Sequence, residues 1–144
     1  MGLLRIAEVP PPIVEPQVSV IDAVNKMARE RIGAVAVVEN GEIVGIFTER
    51  DLMLRVVQPG RDAAATLVRD VMTTKVMTIT EDTTCEEASG VMLRGHLRHL
   101  PIVAGDGKVV GLLSMRALLE ERLQDLSQEV SSLEQYMAND GPGG

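Results

Sequence analysis

One stretch of the sequence combines residue types that could hold an anion and a pair of hydroxyl groups. Thr48, Arg50 and Asp51 directly follow the strand-like run Glu42–Phe47, where a helix should begin. The first turn of a helix has unpaired N–H groups and partial positive charge, so a phosphate there would meet backbone donors, the Thr48 hydroxyl and the Arg50 guanidinium. The Asp51 carboxylate can accept two hydroxyl donors, which suits the diol of a ribose.

The same residues also fit a purely structural role. In a capping box, the hydroxyl at the helix start binds the backbone N–H three residues on, and an acidic side chain at that position binds back. Thr48 and Asp51 have this spacing. The two roles do not exclude each other, so both stay open.

The pattern recurs in altered form in the second part of the chain. Lys108–Leu113 leads into Ser114, Arg116 and Ala117, so the hydroxyl and the arginine are kept while the carboxylate is lost. Upstream, the repeat continues through the preceding strand and helix. Such self-similarity marks a duplicated unit whose hydrophobic face needs its neighbour. Ser114 and Arg116 could still hold a phosphate, but without the ribose contact we expect the two sites to be unequal.

Each copy is predicted to fold as strand, helix, strand, strand, helix, which gives an α/β (α+β) protein. In the first copy we predict strands over Ile13–Val14, Ala34–Val38 and Ile43–Phe47, and helices over Val20–Arg31 and Glu49–Val57. Asn40-Gly41 is the strongest hairpin signal in the chain. We assign residues 3–66 to the first copy and 67–125 to the second. Because a half of about 60 residues is only marginally stable alone, the two should share a core.

The composition fits one soluble globular protein. The 144 residues are 45% hydrophobic and 24% charged, with a net charge of −7. This acidic balance argues against a nucleic-acid surface, which needs clustered Lys and Arg. Cys85 is the only cysteine, which excludes an internal disulfide and a thiolate metal cage. No segment resembles a signal peptide or a membrane span, so we expect a cytoplasmic protein without membrane insertion.

The duplication, the order of elements and the pattern of Gly, two apolar residues, Thr or Ser, two further residues and Asp resemble a tandem pair of CBS domains. This regulatory module of the cystathionine-β-synthase type, the Bateman module, covers about residues 3–125 here. The resemblance implies sheet-against-sheet packing with pseudo-twofold symmetry and two clefts for adenosine-containing ligands such as AMP, ADP, ATP, NAD or S-adenosylmethionine. It also implies that aliphatic residues such as Ile13, Val14 and Ala36 contact the base. No cofactor is required, because the adenine nucleotide is a regulatory ligand.

Basic residues cluster just before the strand Leu100–Val103 of the second copy, which begins with Leu-Pro. They resemble residues that related modules direct at a phosphate across the twofold axis, which makes Arg98 and His99 further candidates for the first cleft. The alternative is a solvated helix end whose cations suit the helix dipole. A zinc site on His96 and His99 lacks carboxylate or cysteine ligands nearby and is not expected.

The C-terminal segment is predicted to form an amphipathic helix over residues 116–138. Six apolar residues follow the 4-3-4-3-4 spacing of a coiled-coil seam: Leu119, Leu123, Leu126, Val130, Leu133 and Met137. Such a narrow seam on a polar helix needs a partner, most simply the same helix of a second chain, so we expect a homodimer. The alternative is that the helix folds back on its own globule. Residues 139–144 are predicted to be a disordered tail.

These features favour a regulatory sensor that binds an adenine nucleotide and, as a homodimer, passes its occupancy to an unidentified protein target. Catalysis is not expected, because the sequence offers no nucleophile–base pair, no paired carboxylates on a pocket wall and no metal-ligand spacing. The main alternative is a ligand-free scaffold that uses the same fold to present the C-terminal helix. A DNA-binding regulator would need a basic face, against which the acidic composition argues.

Overall fold

The computed structural model describes residues 2–139 and contains the duplicated order of elements. The first half consists of β1 (Ile13–Val14), α1 (Val20–Glu30), β2 (Ala34–Glu39), β3 (Glu42–Thr48) and α2 (Glu49–Asp51). A short helix, α3 (Val68–Val71), lies between the halves. The second half consists of β4 (Ile79–Thr80), α4 (Cys85–Gly95), β5 (His99–Val103), β6 (Val109–Ser114) and α5 (Met115–Asn139). The predicted fold class is confirmed.

Each half has a three-stranded sheet whose central strand pairs with both neighbours. β1 runs parallel to β2 and β2 antiparallel to β3, and β4, β5 and β6 repeat this arrangement. Asn40 and Gly41 form the two-residue turn between β2 and β3, with φ of 53° and 82°. Positive φ at both positions is what a type I′ turn requires, and Asn-Gly adopts it with little strain. The predicted hairpin is confirmed.

Alternation along the strands gives each sheet two different faces. One face of each sheet packs against the helices of its own half. In the first half this core includes Val35, Val37, Phe47 and, from α1, Met27. The second half repeats it with Leu100, Ile102, Leu113 and, from α4, Met92. The opposite face of β2 carries the small residues Ala34 and Ala36, which are also fully buried.

The two halves meet through these opposite faces. Ala34 and Ile46 of the first sheet pack with Leu112 of the second, and Ile32 and Val76 add to this cluster. Ile46 and Leu112 occupy equivalent positions in the two copies of the repeat. Their contact relates the halves by pseudo-twofold symmetry. Burial of each large aliphatic side chain stabilises the pairing by about 1.5–3 kcal/mol.

Each half also receives a segment from the chain that precedes the other half. Thr73, before β4, exchanges both backbone hydrogen bonds with Ile46 of β3, at 2.9 Å each. Glu8, before β1, does the same with Leu112 of β6, at 2.9 and 3.1 Å. Leu3 accordingly lies in the core of the second half, although its sequence position places it with the first copy. Neither half is complete without the other.

The predicted α-helix over Glu49–Val57 is wrong in its second part. α2 ends at Asp51, and Leu52–Val57 continues as a π-helix in which the N–H of Gln58 binds the carbonyl of Met53 at 2.9 Å. Helix propensity and apolar spacing describe a regular α-helix. The change to i→i+5 pairing depends on how the helix packs against other segments, which no local pattern encodes.

α5 is the longest helix of the described residues. It runs over Met115–Asn139, so Asn139 of the predicted tail is helical and residues 140–144 lie outside the described residues. The six seam residues are all exposed, from 53% at Val130 to 69% at Met137. The helix therefore does not fold back on its own chain. Within residues 2–139, no helix has both the length and the hydrophobicity needed to cross a bilayer.

Candidate functional site

The start of α2 is a capping box. Thr48 ends β3 with an extended backbone, and its hydroxyl accepts a hydrogen bond from the Asp51 N–H at 3.3 Å. Oδ2 of Asp51 accepts from the Thr48 N–H at 3.0 Å and from the Thr48 hydroxyl at 3.2 Å. The capping alternative is therefore confirmed, and such a cap contributes about 0.5–2 kcal/mol.

The other carboxylate oxygen binds a segment from outside the helix. Oδ1 of Asp51 accepts a hydrogen bond from the Thr73 hydroxyl at 3.0 Å, and Nε of Arg55 lies 3.7 Å from it. Arg55 also donates through Nη1 to the carbonyl of Met72 at 2.9 Å. Asp51 is only 6% exposed. Its burial is tolerated because both oxygens have donors.

The two oxygens differ in how firmly they are held. Oδ2 is committed to the helix start, whereas Oδ1 is held by a neutral hydroxyl and a widely spaced ion pair. Thr73 and a ligand would each donate a hydroxyl to the same carboxylate oxygen, so a ligand hydroxyl could replace that of Thr73 at little net cost. The site is therefore suited to binding by exchange of hydroxyl donors.

Basic residues from both halves lie near this helix start. Arg50 is exposed in the first turn of α2. His99 begins β5 in the second half and is close enough to Glu49 for the carboxylate to act on its charge. Burial lowers the pKa of His99, and the Arg98 charge lowers it further, while Glu49 partly offsets both. The imidazole is therefore mostly neutral at neutral pH and would gain a proton beside a phosphate.

Arg98 and Gly33 occupy equivalent places before the central strands. The Gly33 carbonyl accepts the Glu49 N–H at 3.0 Å, and the Arg98 carbonyl accepts the Met115 N–H at 2.7 Å. The Arg98 side chain is exposed. At Gly33, an added Cβ would overlap the Glu49 carboxylate. Sequence reasoning missed this glycine, although its place directly before a buried strand was a signal of close approach.

The three aliphatic residues predicted to contact a base take different positions. Ile13 pairs with Ala36 across β1 and β2, and Ala36 is a fully buried partner of Ile46. Val14 instead pairs with Val37 and joins the core of the first half, away from the sheet face that carries Ala36. Val76, which sequence reasoning missed, adds an apolar side chain at the interface of the halves.

The equivalent helix start in the second half has a cap but no carboxylate. Ser114 ends β6, and its hydroxyl accepts the Ala117 N–H at 3.0 Å. Arg116 is exposed and pairs with Glu120, Nε to Oε1, at 3.2 Å. Ala117 packs against the core of the second half. The predicted phosphate contacts Ser114 and Arg116 thus lie at one helix start, where Ala117 offers no acceptor.

Thr73 and Arg55 are contacts that sequence reasoning missed. Arg55 is four residues beyond Asp51, the spacing at which helical side chains meet, and this signal was available. Thr73 is 22 residues away in the chain. Its only sequence signal is that it aligns with Glu8 when the two copies are superimposed in sequence.

Comparison with known proteins gives these residues a family context. The sequence profile of the CBS domain matches twice, over residues 6–58 and 68–124. An uncharacterized protein of Methanopyrus kandleri is 37% identical over 106 residues, which cover 73% of this chain and 54% of that protein. The chain thus spans about half the length of this relative.

Solved structures share the fold. A CBS-domain containing protein from Agrobacterium tumefaciens is similar with a TM-score of 0.75 at 28% identity, covering 85% of this chain and 99% of the other. A CBS domain protein from Pyrobaculum aerophilum, complexed with AMP, has a TM-score of 0.78 at 23% identity, over 89% and 99% of the two chains. The second similarity is one of fold alone.

Proposed function

Because the chain belongs to the CBS domain family and carries two copies of the domain in tandem, we propose that it is a regulatory sensor of adenosine-containing ligands. It binds a ligand of the AMP, ADP, ATP or NAD class in the cleft beside Thr48 and Asp51 and signals occupancy to a partner protein. The observation that carries this proposal is the buried Asp51 carboxylate at a helix start, with Arg50 beside it and His99 nearby from the other half. A protein of the same fold binds AMP.

The phosphate of the ligand binds the basic and hydroxyl groups of this site. The phosphate meets Arg50 in the first half, and His99 and Arg98 across the interface of the halves. It meets the Thr48 hydroxyl once that O–H turns from Oδ2 of Asp51 to the phosphate. The guanidinium and a protonated imidazole both form charge-assisted hydrogen bonds with phosphate. In the second cleft, Ser114 and Arg116 offer the corresponding phosphate contacts.

The sugar and the base use the other groups. One ribose hydroxyl takes the place of the Thr73 hydroxyl on Oδ1 of Asp51, the oxygen that the cap does not use. The base lies against aliphatic side chains, for which Ile13, Ala36 and Val76 are the available residues at the interface of the halves.

Thr73 connects ligand binding at Asp51 to the packing of the two halves. Its hydroxyl binds Asp51, its backbone binds Ile46, and it belongs to the segment that joins the halves. A ribose that occupies Oδ1 frees this hydroxyl, so the ligand-bound state favours a different packing of the segment. A ligand shifts such an equilibrium by its difference in affinity for the two states.

α5 is the proposed output surface. Its exposed seam pairs with the same helix of a second chain, which makes the protein a homodimer. The dimer acts in the cytoplasm on an unidentified protein target, as a regulator and not as an enzyme.

Isothermal titration with AMP tests the ligand proposal. The Asp51→Ala variant should bind AMP about ten- to a hundredfold more weakly than the parent, because the buried ribose hydroxyl would be left without an acceptor, which costs about 1–3 kcal/mol. Asp22→Ala is the matched control. Asp22 is exposed at the third position of α1, where its N–H binds the capping Ser19 hydroxyl at 3.2 Å. Equal AMP affinity in a folded Asp51→Ala protein would contradict the proposal.

The second candidate is a ligand-free scaffold that presents α5. It is favoured by the fact that protein groups already supply donors to both oxygens of Asp51. A scaffold predicts no heat and no thermal shift with AMP, ADP, ATP or NAD at millimolar concentration. Mass spectrometry of small molecules released from the purified protein distinguishes the two candidates without a choice of ligand.

A further inference from the structure

The N-terminal segment, residues 2–8, is part of the second half. Leu3 is 3% exposed in the core of that half. Leu4 packs over Gly111 of β6, where an added Cβ would lie 2.8 Å from Leu4 Cδ2. Arg5 forms an ion pair with Glu121 of α5. Glu8, at the end of the segment, is therefore held at a fixed place beside β6.

Glu8 stands where Thr73 stands in the first half. Thr73 pairs with Ile46 of β3, and Glu8 pairs with Leu112 of β6 through the same two backbone hydrogen bonds. Directly opposite residues of an antiparallel pair have side chains on the same face of the sheet. The Glu8 side chain therefore shares the sheet face of Leu112 and, two residues on, of Ser114.

The first half shows what this position reaches. The Thr73 hydroxyl, one bond from Cβ, lies 3.0 Å from the Asp51 carboxylate. Ala117 is the repeat equivalent of Asp51. A glutamate at the position of Thr73 has a longer side chain that ends in two acceptors. Its carboxylate can thus extend into the space that a carboxylate on residue 117 would occupy.

We propose that Glu8 supplies the second cleft with the carboxylate that Ala117 lacks, so that this cleft also binds the ribose diol of an adenosine-containing ligand. The inference rests on the proposed function, since it assigns a ribose acceptor to the second copy of the same site. It replaces the unequal pair of clefts expected from the repeat with two clefts whose acceptors come from different parts of the chain.

The two carboxylates differ in availability. Asp51 is buried and holds three hydrogen bonds from Thr48 and Thr73. Glu8 is exposed, and its side chain makes no hydrogen bond or ion pair with another residue in the described part of the chain. A ligand hydroxyl can bind the Glu8 carboxylate without displacing a protein donor.

The charges around the second cleft select the form of the ligand. Arg116 is paired with Glu120, and Arg5 with Glu121. Because both arginines already have a carboxylate partner, Glu8 adds a negative charge that no nearby arginine balances. We assign this cleft to adenosine or AMP rather than to di- and triphosphates, because each further phosphate adds repulsion.

Titration of the parent and of Glu8→Gln with AMP tests the inference. Glutamine preserves size and backbone pairing while removing the charge. The parent should bind two AMP molecules, and Glu8→Gln should keep the first site and weaken the second about tenfold or more. Glu15→Gln, an exposed glutamate of the first half, is the matched control and should retain two sites. Adding Ala117→Asp to Glu8→Gln should restore the second site.

The outcomes separate this inference from the proposed function. A parent that binds one AMP, lost in Asp51→Ala, would support the sensor and overturn the role of Glu8. Two sites of unchanged affinity in Glu8→Gln would overturn that role as well. A parent that binds neither AMP nor adenosine would overturn both. Melting temperatures of all variants confirm that they are folded.

Discussion

The two helix starts of the duplicated chain share one frame and differ in chemistry. Thr48 and Ser114 both end a strand and cap the helix that follows. In the first half the third residue is a buried aspartate bonded to the segment before β4, and in the second half it is a partly buried alanine that packs against the core. The duplication thus preserves the backbone positions, while single side chains decide what each position can bind.

The helices that follow also differ. In the first half, Leu52–Val57 is a π-helix with Met53 and Val57 exposed. Leu119 and Leu123 are their equivalents in the second copy, and they begin the exposed seam of α5. The same two exposed apolar positions are thus part of a short helix in one half and of a long exposed apolar seam in the other.

The largest expected effect tests whether the exposed seam distinguishes α5 from the shorter helix of the first half. The double variant Leu126→Asp/Leu133→Asp places two charges in the seam of α5 and leaves the globule untouched. Each buried leucine contributes about 1.5–3 kcal/mol, so the dimer dissociation constant should rise at least about a hundredfold. Analytical ultracentrifugation measures it.

Gln128→Asp/Gln135→Asp is the control, because it adds the same charge to the opposite face of α5. It should leave the dissociation constant nearly unchanged. A monomeric parent, or equal constants for the two double variants, would show that the seam is not a dimer interface.

The next effect sharpens the contrast between Asp51 and Ala117. Asp51→Ala removes a cap worth about 1 kcal/mol and a hydrogen bond from Thr73 to a carboxylate worth about 1.5–3 kcal/mol, so the free energy of unfolding should fall by about 2–4 kcal/mol. Ala117→Asp should change it by less than about 1 kcal/mol, because the Ser114 hydroxyl already caps α5. Urea denaturation measures both. Equal losses at the two positions would contradict the contrast.

Gly45 of β3 and Gly111 of β6 allow the same comparison for the two segments that cross between the halves, the one before β4 and the one before β1. An added Cβ at Gly45 would lie 2.5 Å from Met72 Sδ and 3.0 Å from the Thr73 carbonyl oxygen, whereas at Gly111 it would lie 2.8 Å from Leu4 Cδ2. Gly45→Ala must move backbone and should cost about 1–3 kcal/mol. Gly111→Ala meets the end of a flexible side chain and should cost less. Thermal unfolding that ranks them in the reverse order would overturn this interpretation of the two segments.

The smallest effect concerns pH. Burial lowers the pKa of His99 below its ordinary 6.5. A bound phosphate raises that pKa again, so binding takes up a proton and AMP affinity should rise a few-fold as pH falls from about 8 to 7, above the range near pH 6 in which the AMP phosphate itself takes up a proton. The stability of the free protein depends on pH in the opposite direction. The unfolded chain binds the proton more readily, so His99 makes the fold less stable as pH falls through 6.5.

His99→Gln should remove the pH dependence of AMP binding. His96→Gln is the matched control, because His96 is an exposed residue directly after α4. Titrations at several pH values measure both. If the parent and His99→Gln have the same profile, His99 does not contact the phosphate.

Local patterns were sufficient for the parts of this fold that depend on neighbouring residues. Asn40-Gly41 predicted the hairpin turn, and the spacing of Thr48 and Asp51 predicted the capping box. The repeat predicted two similar halves because the same elements recur at a fixed shift. Each of these signals lies within a few residues or follows from the duplication itself.

Long-range contacts were beyond the sequence pattern. The hydrogen bond between Thr73 and Asp51 joins residues 22 positions apart, and the pairing of Glu8 with Leu112 spans most of the chain. Both arise because the segment that precedes each half pairs with a strand of the other half. The π-helix after Asp51 likewise depends on packing. The pairing of Glu8 with Leu112 is the contact on which the proposed second acceptor depends.

A crystal structure of the protein with AMP would decide whether Asp51 binds the ribose. We predict that a ribose hydroxyl binds Oδ1 of Asp51, that the Thr73 hydroxyl has moved away from it, and that the phosphate lies between Arg50 and His99. Ligand density elsewhere, with the hydrogen bond from Thr73 to Asp51 intact, would contradict the sensor proposal and leave Asp51 as a structural cap alone.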